Sequence, residues 1–137
     1  MVYELRQVDV EARLLGVAPV LLVADVRAAA AHYRDKLGFN YDTFFGDPPD
    51  FCIIHRDGCS IMLSQTPDEK AIVPHYRVVD RMWDVYFWVD DVELIYRELE
   101  TRNATIDYGL CMKSYGIKEF GVQDLDGYDI GFGQIMD

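Results

Sequence analysis

The chain has no apolar run near the roughly 20 residues that cross a bilayer, so a membrane-spanning helix is not expected. Residues 1–15 carry Glu4, Arg6, Asp9, Glu11 and Arg13 and no apolar block, which argues against a secretory leader. Cysteine is sparse. Cys52, Cys59 and Cys111 form no Cys-x-x-Cys pair and leave an odd one over, as expected of buried, reduced thiols in a cytoplasmic protein. The histidines, His32, His55 and His75, fall at no His-x-His or His-x-x-x-His spacing, so they make no metal motif. There is no glycine-rich phosphate loop, no basic cluster, and no spacing that suggests a Ser/His/Asp or Cys/His arrangement. Positive charge is short: 13 Lys and Arg stand against 24 Asp and Glu, a net charge of −11. Such a surface repels phosphate backbones, which argues against a nucleic-acid partner, and its field favours a cationic ligand.

What is present says nearly the same thing twice. Half the residues are hydrophobic and 13% are aromatic, enough to build a packed core in a single domain. Ala18-Pro19-Val20-Leu21-Leu22-Val23-Ala24-Asp25-Val26 leads into a helical stretch ending at Leu37-Gly38-Phe39. An Asp57-Gly58 turn and the apolar strand Ile61-Met62-Leu63 follow. Asp84-Val85-Tyr86-Phe87-Trp88-Val89-Asp90-Asp91-Val92 repeats the opening, with a helical stretch to Leu99, an Asp126-Gly127 turn and Ile130-Gly131-Phe132. Recurrence in chain order means one supersecondary unit used twice. Two such units can enclose a cavity that neither forms alone.

The local signals place the elements. Val17 to Val23 is nearly all apolar and suits a buried strand. Asp25 stands where a helix N-cap belongs, Ala30, Tyr33 and Leu37 share one helical face, and Gly38 ends the helix. Asn40 to Phe45, Phe51 to His55 and Cys59 to Ser64 read as strands, the last two joined by the Asp57-Gly58 hairpin turn. In the second half Trp83 to Val89 is a strand, Asp91 caps a helix through Thr101, and Ala104 to Tyr108, Tyr115 to Asp124 and Tyr128 to Gln134 are strands. Gly109 to Ser114 reads as a mobile loop. The expected division is an N-terminal arm over 1–15, a first βαβββ module over 16–65, a linker over 66–81 and a second module over 82–137. The arm packs on the body or on a second subunit. The linker, interrupted by Pro67 and Pro74, is long for a structureless connection and is a candidate to close over a site.

This order, with Pro19 to Val26, His32-Tyr33-Arg34-Asp35-Lys36-Leu37-Gly38-Phe39 and Val122-Gln123-Asp124-Leu125-Asp126-Gly127, resembles the vicinal oxygen chelate superfamily over residues 16–135. That superfamily contains glyoxalase I, extradiol dioxygenases and the fosfomycin- and bleomycin-resistance proteins. The first two segments resemble the bleomycin-resistance branch. The resemblance implies an α+β fold: tandem βαβββ repeats forming a curved mixed sheet around a cleft, with helices on the outer face. It also implies metal-ligand positions. Seven residues before the capping aspartates lie Ala18 and Asp84, and four after the turn glycines lie Met62 and Gly131. Alanine and glycine have no donor atom, and a thioether suits soft Cu(I), so only Asp84 could ligate. No metal or other cofactor is expected.

The side chains of such a cleft can still be read. Alternation puts Asp84, Tyr86 and Trp88 on one strand face and Val85, Phe87 and Val89 on the other. The apolar set should pack under the helix, leaving Asp84, Tyr86 and Trp88 for the concave side. Glu119, Gly121 and Gln123 should share that side, with Phe120 and Val122 in the core. Phe44, Phe45 and Tyr115 are further wall candidates, against plain core packing. Asp47 and Asp50 either rim an opening or form a solvated turn, and His75 in the linker either reaches a ligand or does not. A carboxylate beside aromatic rings suits a planar or cationic ligand, through stacking, cation–π attraction and charge pairing; rings filling a subunit interface are the other reading. Bleomycin-resistance proteins are homodimers that sequester a cationic aromatic drug, so the resemblance implies a homodimer and a small-molecule ligand. A metal-dependent lyase or dioxygenase with displaced ligands, and a dimerisation module without a ligand, are the rival readings.

Overall fold

The computed structural model describes residues 11–137. The part of the expected arm over 1–10 lies outside the described residues. Residues 11–19 have no regular structure, and Leu14, Leu15 and Val17 are exposed. The expected strand starting at Val17 therefore begins later. β1 spans Val20–Val23, because parallel pairing with β4 opens at Val20 opposite Met62.

The first module continues with α1 (Val26–Leu37), β2 (Asn40–Phe45), β3 (Phe51–Arg56) and β4 (Cys59–Gln65). The second has β5 (Val85–Trp88), α2 (Val92–Thr101), β6 (Thr105–Met112), β7 (Ile117–Gln123) and β8 (Asp129–Ile135). The order β-α-β-β-β thus occurs twice. The strands form two four-stranded mixed sheets, ordered β1-β4-β3-β2 and β5-β8-β7-β6, and the sheets do not close on each other. No helix among the described residues is long and apolar enough to cross a membrane.

The repeat extends to individual hydrogen bonds. Asp25 accepts from the Ala28 N–H at 3.1 Å, and Asp91 from the Leu94 N–H at 3.0 Å, so each helix has its first turn capped by a carboxylate three residues back. Gln65 Oε1 accepts from the Val26 N–H and Gln134 Oε1 from the Val92 N–H, both at 2.9 Å. The last residue or two of β4 and of β8 therefore supply a side chain that ties the sheet to its own helix start. Gly38 ends α1 at φ +73°, a left-handed conformation that only glycine adopts freely, and its N–H satisfies the Tyr33 carbonyl.

Each helix covers one face of its sheet. Leu21, Val23, Ile54, Ile61 and Leu63 lie under Ala29, Ala30, Tyr33 and Leu37. Under α2, Phe120 stacks on Phe132 at 5.0 Å and Phe132 on Phe87 at 5.6 Å. Phe39 reaches Phe87 at 5.9 Å, so the two cores are continuous. Each such ring removes enough apolar area from water to contribute roughly 1.5–3 kcal/mol.

Two expectations are corrected. Gly109 to Met112 is strand, not loop: β6 stays paired to β7 as far as Met112 opposite Lys118, through two register shifts that let it bend. Cys59 is exposed, Cys111 half-buried, and only Cys52 buried, because the first residue after the Asp57-Gly58 turn projects beyond the core. The linker holds two single turns, Glu69–Ala71 and His75–Arg77, with Ile72 and Pro74 buried.

Candidate functional site: an aromatic face over a buried glutamate

On the face of the second sheet away from α2, small residues and large ones interlock. Gly131 and Gly133 on β8 and Gly121 on β7 are buried, because rings lie directly on them. A Cβ at Gly131 would stand 2.7 Å from the Tyr86 ring and 2.8 Å from the Trp83 indole. Tyr108 covers Gly121 in the same way, and Tyr86 covers Gly133. The expected ligand position Gly131 is thus a seat for rings. Trp83 meets Tyr86 edge-on at 4.6 Å, and Tyr86 meets Trp88 at 5.0 Å. Trp88 is 61% exposed, an indole left on the open side of the cluster.

Glu119 lies in the middle of this face and is fully buried. Its Oε1 accepts from the Tyr86 and Tyr115 hydroxyls, each at 2.9 Å, and its Oε2 from Tyr108 at 2.6 Å. Tyr108 accepts in turn from Trp83 Nε1 at 2.8 Å. A carboxylate removed from water needs such donors, and bonds to an ionised acceptor are short and strong. Burial, then the hydrogen bond to Glu119, pushes the Tyr86 and Tyr108 phenols far up and Tyr115 to about 12. All three therefore remain donors at neutral pH, and the negative charge beneath them enriches the rings. Lys113 Nζ already sits 5.2 Å over the Tyr108 ring.

The structure brings four of the six expected site residues, Tyr86, Trp88, Glu119 and Tyr115, to this one face. Tyr115 arrives from the turn between β6 and β7 and not from a strand. The other two sit elsewhere. Asp84 precedes β5, and its side chain is only 3% exposed. It accepts from the His75 N–H and the Asp129 N–H, both at 2.9 Å, and so anchors the linker to β8 in place of facing a ligand. Phe44 packs toward α1, with the Arg27 guanidinium 5.1 Å above its ring and Tyr41 at 5.2 Å. The register shift between Tyr41 and Phe44 puts both on the helix side, where simple alternation separates them. Phe45 is the residue left on the other face, half exposed and 6.1 Å from Phe51. Asp47 and Asp50 are exposed in the turn after β2. His75 Nδ1 lies 3.0 Å from the Trp83 carbonyl, so the histidine holds the linker.

Sequence reasoning missed three participants. Trp83 and Tyr108 are expected within strands but not on this face; β5 starts two residues after Trp83, which frees it from the strand's alternation, and β6 is kinked on both sides of Tyr108. Asp129 is 3% exposed, with Oδ1 buried and without a hydrogen-bond partner. Burial, then the nearby Asp107 carboxyl, holds its pKa above the usual carboxylate range. Two-residue alternation back from Gly131 would have put Asp129 on this face.

The donor set for a divalent metal does not fit. Ala18 and Gly131 offer no atom, and both Asp84 oxygens are engaged by backbone N–H groups. Among the described residues no three His, Cys, Asp or Glu side chains converge on a common point.

A twice-repeated βαβββ unit with a side-chain-lined sheet face defines the glyoxalase fold class. The chain belongs to the glyoxalase/bleomycin resistance protein/dioxygenase superfamily, whose sequence profile matches residues 15–132. No curated protein matches it in sequence. Among solved structures, it is similar to the bleomycin-binding protein of bleomycin-producing Streptomyces verticillus, complexed with copper(II)-bleomycin. That likeness has 27% identity and a TM-score of 0.66 and covers 89% of this chain and 97% of that one. TnmS3, an antibiotic-binding protein from Streptomyces sp. CB03234, matches at 20% identity and TM-score 0.68, over 91% and 99% of the two chains. A glyoxalase/bleomycin resistance protein/dioxygenase from Alicyclobacillus acidocaldarius has a TM-score of 0.72 at 15% identity, over 89% and 92%.

Proposed function

We propose that the chain is a small-molecule binding protein that captures an aromatic, cation-bearing ligand on the face formed by Trp83, Tyr86, Trp88, Tyr108 and Tyr115, without a metal and without turnover. One observation carries the reading: a fully buried carboxylate saturated by three phenols supports a patch of rings whose outermost indole is open to solvent. The rings supply stacking area, and the buried charge beneath them strengthens cation–π attraction. Lys113 over Tyr108 supports this, since an ammonium is held on the patch by the chain itself. With Glu119 saturated and Asp84 engaged, the acidic contribution comes from the exposed Asp107 at the border of the patch, beside the buried Asp129.

The working unit is a homodimer. On the first sheet, the face away from α1 leaves Val20, Leu22 and Phe45 exposed among the described residues. A second copy burying this face would add a wall to the aromatic face of its partner. Sequestration of a toxic aromatic cation in the cytoplasm, and hence resistance to it, is the biological role that fits.

The only two tryptophans of the chain, Trp83 and Trp88, both lie on the patch, so their fluorescence reports on it directly. Titration with bleomycin, ethidium and proflavine is expected to give saturable quenching by at least one of them. Trp88→Ala is expected to weaken that binding by about tenfold or more, a stacked ring contributing on the order of 1–3 kcal/mol. Folded protein that shows no saturable quenching with any of the three overturns the reading.

A further inference from the structure

The two modules repeat each other up to the seams where they meet, and there the symmetry breaks. At one seam Tyr128, just before β8, is 6% exposed and fills the junction. Its hydroxyl donates at 2.7 Å to the Leu22 carbonyl on β1, and Asp126 Oδ1 accepts from the Ala24 N–H at 3.0 Å. The strand register gives the counterparts at the other seam. Gly131 pairs with Tyr86 as Met62 pairs with Val20, so Cys59 answers to Tyr128, Trp88 to Leu22, Asp57 to Asp126 and Asp90 to Ala24.

Cysteine has no ring to fill the space, and the second seam is a groove of about 730 Å³. That volume is in the range of sites for small organic ligands. Phe39, Phe87 and Phe132 line it, with Leu94 and Ile95 from α2. Asp57, Asp90, Asp91 and Glu98 line it as well, against the single guanidinium of Arg56. Arg56 is already committed: it donates to both Glu98 oxygens at 2.7 and 3.1 Å and to the Leu37 carbonyl at 2.8 Å. The groove is therefore apolar within and net negative around. The carbonyls of Pro19, just before β1, and of Val23 at its end bond the β4 side, and Leu22, of opposite parity, turns its carbonyl to the free edge. Trp88 has the same parity in β5, so its carbonyl turns to the edge that this groove borders.

We propose that this groove is a second ligand site, specific for a small cation whose aromatic ring carries a hydroxyl or amine donor. The ring takes the place that the Tyr128 ring has at the other seam. The donor bonds the Trp88 carbonyl as the Tyr128 hydroxyl bonds Leu22, and the cationic group faces Asp57, Asp90 and Asp91. The molecule thus carries, in Tyr128, a template of what its own groove accepts. The site borders the aromatic face at Trp88, whose backbone faces the groove at the free edge of β5, and it stands whether or not that face binds a ligand.

Tyramine, a phenol with a primary ammonium, is the probe. Cys59 lines the groove and is the exposed thiol, so its reaction rate with a disulfide reagent reports occupancy. Tyramine is expected to protect Cys59 saturably. Phenethylamine, lacking the donor, and 4-hydroxyphenylacetate, lacking the cation, are each expected to need about tenfold higher concentration, the usual cost of a lost hydrogen bond or charge pair. Cys59→Tyr, which supplies the ring from the chain, is expected to raise the melting temperature. It should lower saturation transfer to tyramine in ligand-observed NMR at least to what the aromatic face alone supports, with bleomycin quenching of Trp83 and Trp88 retained. Should that variant not fold, Asp57→Asn with Asp90→Asn is expected to weaken tyramine protection by about tenfold. Absence of protection, equal protection by the anionic phenol, or unchanged tyramine binding in the folded Cys59→Tyr protein overturns the proposal.

Discussion

Removing the phenol hydroxyls one at a time tests whether the tyrosines are what makes the burial of the Glu119 side chain tolerable. Tyr108→Phe takes away the 2.6 Å bond to Oε2 and also leaves Trp83 Nε1 without its acceptor. A hydrogen bond to a charged group contributes about 1.5–3 kcal/mol, and an orphaned buried donor costs about 1 kcal/mol more. The expected loss for Tyr108→Phe is therefore about 2.5–4 kcal/mol. Tyr86→Phe loses one bond to Oε1, which Tyr115 still serves, and is expected to cost about 1.5–2 kcal/mol. Tyr115 is 55% exposed, so water can replace its hydroxyl, and Tyr115→Phe is expected to cost under about 1 kcal/mol. Glu119→Gln in the Tyr108→Phe background is expected to recover part of the loss, because it removes the charge that lacks donors. Urea unfolding at pH 7 with a constant m-value measures all four. The reasoning fails if Tyr108→Phe costs less than Tyr115→Phe, or if neutralising Glu119 makes the double variant less stable than the single one by more than about 1 kcal/mol.

Two further outcomes follow from other parts of the fold. Burial holds the Asp124 carboxyl at about 7 against 3.8 when free, and burial with Asp107 holds Asp129 up as well. The native chain then binds more protons than the unfolded chain between about pH 4 and pH 7, so stability falls as pH rises through that window. At roughly 1.4 kcal/mol per pKa unit, the Asp124 contribution has a ceiling on the order of 4 kcal/mol. Below that window the Arg56-paired Glu98, whose pKa is lowered, loses its stabilisation, so melting temperature should peak near pH 4 and decline toward pH 7.5. Asp129→Asn should flatten that decline, and a melting temperature that rises steadily from pH 5 to 7.5 would contradict the assignment. Gly131→Ala places a methyl group against the Trp83 and Tyr86 rings and is expected to destabilise by about 1–3 kcal/mol, while shifting the tryptophan emission. Unchanged emission would mean that the rings do not rest on β8.

Local rules decided a great deal of this protein from sequence alone. The βαβββ order, the Asp25 and Asp91 caps, the Gly38 stop and the two Asp-Gly turns all rest on interactions between residues a few positions apart, where backbone geometry leaves few choices. The lack of donor atoms at Ala18 and Gly131 is a matter of residue type and was legible for the same reason. Tertiary structure decided what each polar group is for. Asp84 and Glu119 look alike in sequence, as carboxylates on strands with aromatic neighbours. Asp84 is consumed by backbone N–H groups of His75 and Asp129, and Glu119 by three phenols, one of them from a turn. Register shifts in β2 and β6 sent Phe44 to the helix side and bent the strand on both sides of Tyr108, and period-two alternation cannot foresee an inserted residue. The open groove arises because the segment at one seam ends in Cys59 and at the other in Tyr128, residues whose roles differ only once two distant edges are brought together. Hydrogen-bond partners and cavities depend on distances between remote parts of the chain, and only folding sets those distances.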